Sequence, residues 1–309
     1  MPSKPLMEFG YNPPSGERGY ETIRPREYMG DLHRALDVAS QSFQSLWTSD
    51  HLNYTTEWRL ECWTLLTWMA ARYPGPQLGT VVMSNSFRSP ALMAKMASSI
   101  QHLTYGRLIL GYGAGWYEPE YRSYGFDYPS ARTRIEMLDE GVRVMKAMWT
   151  DSPANFSGEY YHVDNVHCEP LPDPLPILML GGGGERRTLR VVAEHADWWN
   201  DVMRPVDQLQ RKLDALKGHC EAIGRDYDSI RKTLAPRFYL HRTHSKALEM
   251  AGDKMTSDQP PIAGDPVAVT EQLMELVEMG FDFSVATFPQ FQELDDMKLF
   301  VNEVMPHFS

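Results

Sequence analysis

A short apolar run that closes on small or polar residues, followed by a segment with helical spacing, recurs about eight times along the chain. Alternation of this kind makes the strands parallel and their crossovers right-handed, leaving a closed barrel or an open doubly wound sheet. Eight units favour closure, so the expected fold is a single α/β domain, a (β/α)8 TIM barrel. The predicted strands are 6–11, 45–49, 78–83, 107–111, 177–180, 196–201, 233–240 and 282–287.

Between them, helical periodicity covers 29–43, 90–102, 130–149, 185–194, 205–223, 266–279 and 292–304. The second opens on Pro90 after Ser89, a proline in the first turn behind an N-cap. In the third, Ile135, Leu138, Val142, Met145 and Met148 share one face, a methionine-rich core stripe. No Pro/Gly/Ser-rich linker divides the 309 residues. Two insertions are expected, after strands 4 and 7: a hairpin with an extended arm at 151–176, and a polar segment at 241–264 read as a mobile lid.

The formal net charge of −11 excludes a general nucleic-acid surface, which needs clustered Lys and Arg. The start has no apolar run of signal-peptide length and no later stretch reaches the ~20 apolar residues of a membrane span. These readings predict a cytoplasmic protein without a membrane or nucleic-acid partner. Cys62, Cys168 and Cys220 are odd in number and lack CxxC spacing, so they read as free thiols.

In a parallel barrel the chemistry sits at the carboxyl ends of the strands. Four ends stand out. After SLW, the turn TSDH sets Asp50 beside His51, an acid and an imidazole able to bond a heterocycle or relay a proton. After LGTVVM, Ser84 and Asn85 end a strand of small and β-branched residues against which a flat ring can lie. After RLIL, Gly111, Gly113 and Gly115 alternate with larger residues and permit close backbone approach. The third glycine of a dinucleotide fingerprint is missing there. After LPILML, Gly181, Gly182, Gly183 and Gly184 lead towards a helix, a cradle of backbone N–H groups for a phosphate, with Arg186 or Arg187 adding charge.

These stretches, in this order, resemble the luciferase-like monooxygenase superfamily, in its branch of flavin- or deazaflavin-dependent oxidoreductases. The resemblance spans SLWTSDH, LECWTLL, the long segment from LGTVVM to RSYGF, FSGEYYHVDN, PILMLGGGGERRTLRVVAEHADWWN and GFDFSVATF. It implies an isoalloxazine-like ring against a bulge at Val81 and Val82, where family members often have a non-proline cis peptide. It also implies Asp50 and His51 flanking the ring, Gly113, Ala114 and Gly115 on the substrate side, and the tetraglycine holding the cofactor phosphate. His51, helped by Asp50, becomes the proton donor or acceptor. Coenzyme F420 is the expected cofactor and FMN the alternative, which decides between hydride transfer and an O2-using monooxygenase. Small-molecule turnover as a homodimer is implied as well.

Trp116 stands where sugar-phosphate dehydrogenases of the family carry an acidic residue, which argues against glucose-6-phosphate oxidation. With Trp47 and Tyr117, and with Trp63 and Trp68 possible neighbours, it points to an apolar or aromatic substrate. Two rival readings are a non-catalytic flavin-binding protein and a barrel metallohydrolase using His51, His102, His162 and His167. The second lacks HxH after the first strand and any HExxH, so no metal is expected.

Overall fold

A computed structural model describes residues 5–16, 25–54, 57–290 and 292–309. Eight parallel strands close on themselves: β1 (Glu8–Tyr11), β2 (Ser45–Thr48), β3 (Gln77–Thr80), β4 (Leu108–Gly113), β5 (Ile177–Gly181), β6 (Trp198–Val202), β7 (Arg231–Ala235) and β8 (Phe283–Ala286). Each pairs with the next, and β8 pairs with β1 in the register Phe283 to Glu8. The expected TIM barrel is therefore the fold.

Side chains alternate across each strand, as a period of two requires. Leu46, Leu78, Leu108, Leu110, Leu178, Leu180, Trp199 and Leu234 face outward into one continuous core beneath the helices. Trp47, Ile109, Met179, Trp198, Phe283 and Val285 fill the interior. This corrects the expectation for Trp47. Its indole is fully buried, donates from Nε1 to Ser45 Oγ at 2.7 Å and packs on Phe283 at 5.9 Å, so it plugs the barrel and lines no substrate pocket. Gly10 and Gly79 make the room, since a β-carbon on either would collide with the ring.

The third apolar run breaks where the site begins. Gly79 pairs with Ile109 and Met83 with Tyr112, so β3 takes four steps where β4 takes three. The extra residue is a bulge. Thr80 Oγ1 fills the gap in the ladder, donating to Gly111 O at 2.8 Å and accepting from Gly111 N at 2.9 Å. The Val81–Val82 peptide is cis, as the family resemblance implies.

Other boundaries moved for physical reasons. The run at 233–240 splits into β7 and a short strand, Phe238–Leu240. Helix Thr188–His195 starts later than the periodicity suggests, because Glu185, Arg186 and Arg187 form a turn. In 151–176 a hairpin pairs Ala154–Ser157 with His162–Val166, and the Glu140 carboxylate accepts from the amides of Glu159, Tyr160 and Tyr161 at its turn. The polar segment 241–264 holds helix His244–Ala251 and strand Ile262–Gly264, which runs parallel to Phe238–Leu240. Its polar residues form the outer face of a folded unit, in place of a free lid.

Among the described residues no helix is long and apolar enough to cross a membrane. All three cysteines are free and buried. Cys62 Sγ lies 3.4 Å from Met83 Sδ, and burial pushes its thiol well above the ordinary value, so it packs as an inert group.

Asp296, in the first turn of helix Asp295–Glu303, generates a pH test. Its Oδ1 accepts from Met297 N at 2.7 Å, while Oδ2 is buried with no partner among the described residues. Burial raises its pKa to about 7. A carboxyl raised on folding contributes its full stability below the unfolded pKa and loses it as pH rises towards the folded one. Asp296→Asn should therefore match the parent near pH ~4 and exceed it near pH ~8 by on the order of 3 kcal/mol in urea unfolding. An equal difference at both pH values would contradict this.

Candidate active site

The turn after β2 carries Asp50 and His51 over the carboxyl rim, but it separates their side chains. Asp50 is buried. Its carboxylate accepts from both terminal nitrogens of Arg88, at 2.8 and 3.1 Å, and from Ser84 N at 2.9 Å. Burial pushes the Asp50 carboxyl up, and Arg88 opposes that shift. Burial likewise works against the charge on Arg88, but Asp50 and then Glu61 outweigh it and hold the guanidinium above its ordinary value. Asp50 thus has a 0% exposed side chain sealed beneath Arg88. Its carboxylate is engaged by Arg88 and Ser84, in place of the open catalytic and cofactor-facing position expected of it.

Arg88 also pairs with Glu61, which caps helix Cys62–Arg72 by accepting from Trp63 N at 3.0 Å and Thr64 N at 2.7 Å. Sequence reading gave neither residue a role. A signal existed for Arg88, because β2 and β3 are adjacent and residues just past their ends must meet. Trp63 and Trp68 belong to this helix and pack against the outer core, Trp68 stacking on His33 at 5.1 Å.

His51 points elsewhere. Its Nδ1 lies 3.0 Å from Glu120 Oε1, while Glu120 Oε2 accepts from Leu52 N at 3.0 Å. Three aromatic rings stand edge-on around the imidazole: Tyr54 at 5.7 Å, Trp116 at 5.9 Å and Tyr117 at 6.3 Å. Tyr54 and Tyr117 stack on each other at 4.6 Å, and Trp116 is 61% exposed. Trp116 and Tyr117 therefore sit beside His51. Sequence reading gave Glu120 no role; it stands in the first turn of helix Glu118–Tyr124.

Ser84 continues the bulged strand, pairs with Gly113 and hydrogen-bonds Tyr121 through its hydroxyl at 2.9 Å. Asn85 is consumed by Tyr112 and Tyr161, each at 2.9 Å, so its side chain braces the wall behind the strand. That corrects its expected cofactor contact. Ala114 packs on the outer core. Gly115 has φ +75°, and a β-carbon there would strike the Tyr121 hydroxyl, so only glycine fits.

Val82 joins the two halves of the rim. A β-carbon on Gly113 would lie 2.8 Å from its Cγ2, and one on Gly181 2.7 Å from its Cγ1. The acid–imidazole turn and the tetraglycine turn thus open on the same end of the barrel, across β2 to β5. Gly182, at φ +124°, donates to Asn200 O at 3.0 Å, whereas the amides of Gly183 and Gly184 have no acceptor among the described residues. Beneath Gly183 lies a buried ion pair, Lys212 with Asp201, occupying the space a β-carbon would need. A bulky replacement at Gly183 would break this pair as well as fill the cradle.

Among the described residues, one group of three possible metal ligands converges within 4.8 Å: Asp139, Glu194 and His195. It lies between two outer helices, and His51, His102, His162 and His167 are not in it. A depression of ≈ 510 Å³ at the amino end of the barrel is lined by Glu8, Arg231, Lys232 and Asp282, but its cations are paired: Arg231 with Glu8 and Asp282, Lys232 with Asp228.

A closed parallel barrel with a bulged third strand and a glycine-lined carboxyl rim defines a class of enzymes, and comparison with known proteins places the chain within it. Residues 7–262 match the family described as luciferase-like monooxygenase, and the chain belongs to that family. It is 28% identical to an F420-dependent glucose-6-phosphate dehydrogenase of Gordonia bronchialis, covering 93% of this chain and 94% of that protein. It is 23% identical to an FMNH(2)-dependent dimethylsulfone monooxygenase of Pseudomonas fluorescens, covering 77% and 72%. Among solved structures, an F420-dependent secondary alcohol dehydrogenase in complex with an F420–acetone adduct superposes with a TM-score of 0.83 at 17% identity, over 98% of this chain and 99% of the other.

The ion pair at the rim is directly testable. Arg88→Gln leaves the Asp50 carboxylate buried without its cation, so urea unfolding should show a loss of about 3–5 kcal/mol. Adding Asp50→Asn should return a large part of that loss, because the uncompensated charge goes with it. A double variant no more stable than Arg88→Gln alone would show that the pair does not act as a unit.

Proposed function

We propose that this protein is an oxidoreductase that passes a hydride between the deazaflavin coenzyme F420, held at the carboxyl end of the barrel, and a small apolar or aromatic organic substrate. The observation that carries this reading is the meeting of Val82, Gly113 and Gly181 at the carboxyl rim, where the two glycines leave room for the Val82 side chain, with the amides of Gly183 and Gly184, which have no acceptor among the described residues, on one side and His51 on the other. A flat ring can lie on a small apolar surface such as the one Val82 presents, and a phosphate needs backbone donors near a helix start. These residues fit both parts of such a cofactor.

When bound, a deazaflavin supplies a carbon that gives or takes hydride and activates oxygen poorly, unlike flavin. The chain's own residues do the rest. The amides of Gly183 and Gly184 would hold the phosphate, with the Lys212 ammonium beneath them, and Val81 and Val82 would support the ring. Glu120 occupies Nδ1 of His51, so Nε2 is the nitrogen that exchanges a proton with substrate. Tyr54, Trp116 and Tyr117 form an aromatic wall that holds an apolar substrate and excludes water. Trp116 in place of an acidic residue separates this pocket from one built for a sugar phosphate. The Pseudomonas fluorescens relative supports FMN as the alternative cofactor, with monooxygenation in place of hydride transfer.

Titrating the protein separately with F420 and FMN, followed by tryptophan fluorescence, should show F420 binding about tenfold tighter or better, a difference of roughly 1.4 kcal/mol. Tight binding of FMN alone would replace hydride transfer with oxygen chemistry. Neither ligand binding would remove the proposal.

His51→Ala should fold and bind cofactor like the parent, yet turn over about 10²- to 10⁴-fold more slowly. Turnover near the parent's would exclude His51 as the proton-exchanging group.

A further inference from the structure

We infer that Glu120 is the positioning residue for His51, fixing its imidazole as the Nδ1–H tautomer and so reserving Nε2 for proton exchange. The inference deepens the reading above and rests on it for the meaning of the reserved nitrogen. The chemistry of the contact is constrained from both ends. Leu52 N–H can only donate, so Glu120 Oε2 accepts there at 3.0 Å. Glu120 is 2% exposed, and its other oxygen sits 3.0 Å from His51 Nδ1. An ionised carboxylate has no hydrogen to give, so a neutral His51 must place its own on Nδ1. Imidazole free in water modestly favours the opposite tautomer, with hydrogen on Nε2. The carboxylate thus does something the ring would not do alone.

Orientation is fixed as well as tautomer. The planes of Tyr54, Trp116 and Tyr117 stand at 78°, 89° and 82° to the imidazole, so rotation of the ring away from Glu120 meets an aromatic side chain. Glu120 sits in helix Glu118–Tyr124, which follows β4, while His51 follows β2. One side chain therefore sets the geometry between two separate rim segments.

A carboxylate that only stapled the two segments would be indifferent to tautomer, and one substitution separates the roles. In Glu120→Gln the amide oxygen can still accept from Leu52 N–H, which turns the amide NH2 towards His51. Nδ1 then accepts, and the hydrogen moves to Nε2. The staple stays and the tautomer inverts.

The experiment is a long-range 1H–15N correlation spectrum of the protein labelled with 15N-histidine, at a pH where the imidazole is neutral. His51 is assigned by the signal missing from His51→Ala among the 10 histidines. The parent should show Nδ1 protonated and Nε2 bare, and Glu120→Gln the reverse. The melting temperature should stay within a few degrees, and F420 affinity within about threefold, while kcat falls about 10²-fold or more. Glu120→Asp should keep the parent tautomer and recover part of the rate.

An Nε2–H tautomer in the parent, or an unchanged tautomer in Glu120→Gln, would overturn the inference. So would an inverted tautomer with undiminished turnover. The spectra need no cofactor, so a failure of F420 and FMN to bind would count against the proposed function while leaving the tautomer assignment intact.

Discussion

The working end of this barrel is organised by one buried charge contact, the two-pronged pairing of Asp50 with Arg88. Through it the end of β2, the segment after β3 and the capped start of helix Cys62–Arg72 are held as one body, because Asp50 also accepts from Ser84 N and Arg88 also reaches Glu61. A buried pair of this kind returns little net stability once desolvation is counted. Its effect is positional. Ser84, fixed by Asp50, pairs with Gly113, and Gly113 abuts Val82, so the rim around Val82 inherits its geometry from a carboxylate buried beneath Arg88.

This explains why the sequence is informative about the barrel and less so about individual roles. Strand positions were legible because parallel strands buried on both faces read as compact apolar runs ending in small residues, and each of the eight appears within a few residues of its expected place. Helix Cys62–Arg72 escaped because WTLLTWMAAR has almost no polar face, which blurs a helical period into a general apolar stretch. Helix His244–Ala251 escaped for the opposite reason, since two buried alanines in a polar stretch give too faint a stripe.

At the site, proximity in sequence misled. Asp50 and His51 look like one acid–imidazole pair, but consecutive residues in an extended turn point to opposite sides, so each finds its partner elsewhere: Asp50 in Arg88, His51 in Glu120. Trp47 misled in the same way, its alternation directing it into the barrel while the neighbouring rim residues open outward. Glycines were the more reliable markers, because their need is set by a backbone or side chain that must come close. Gly115 against the Tyr121 hydroxyl is such a case, and Gly183 over the Lys212–Asp201 pair is another.

The positions of the acidic groups then set the character of the surface around His51. A carboxylate directly after Gly115 would place a charge beside His51, since the ring that stands at that position lies 5.9 Å from the imidazole. Here that position is Trp116, and the carboxylate nearest the imidazole, Glu120, lies beneath the aromatic wall with both oxygens occupied. The imidazole keeps a charged partner while the surface presented around it stays apolar. One acid thus orients the imidazole while three rings form the surface around it.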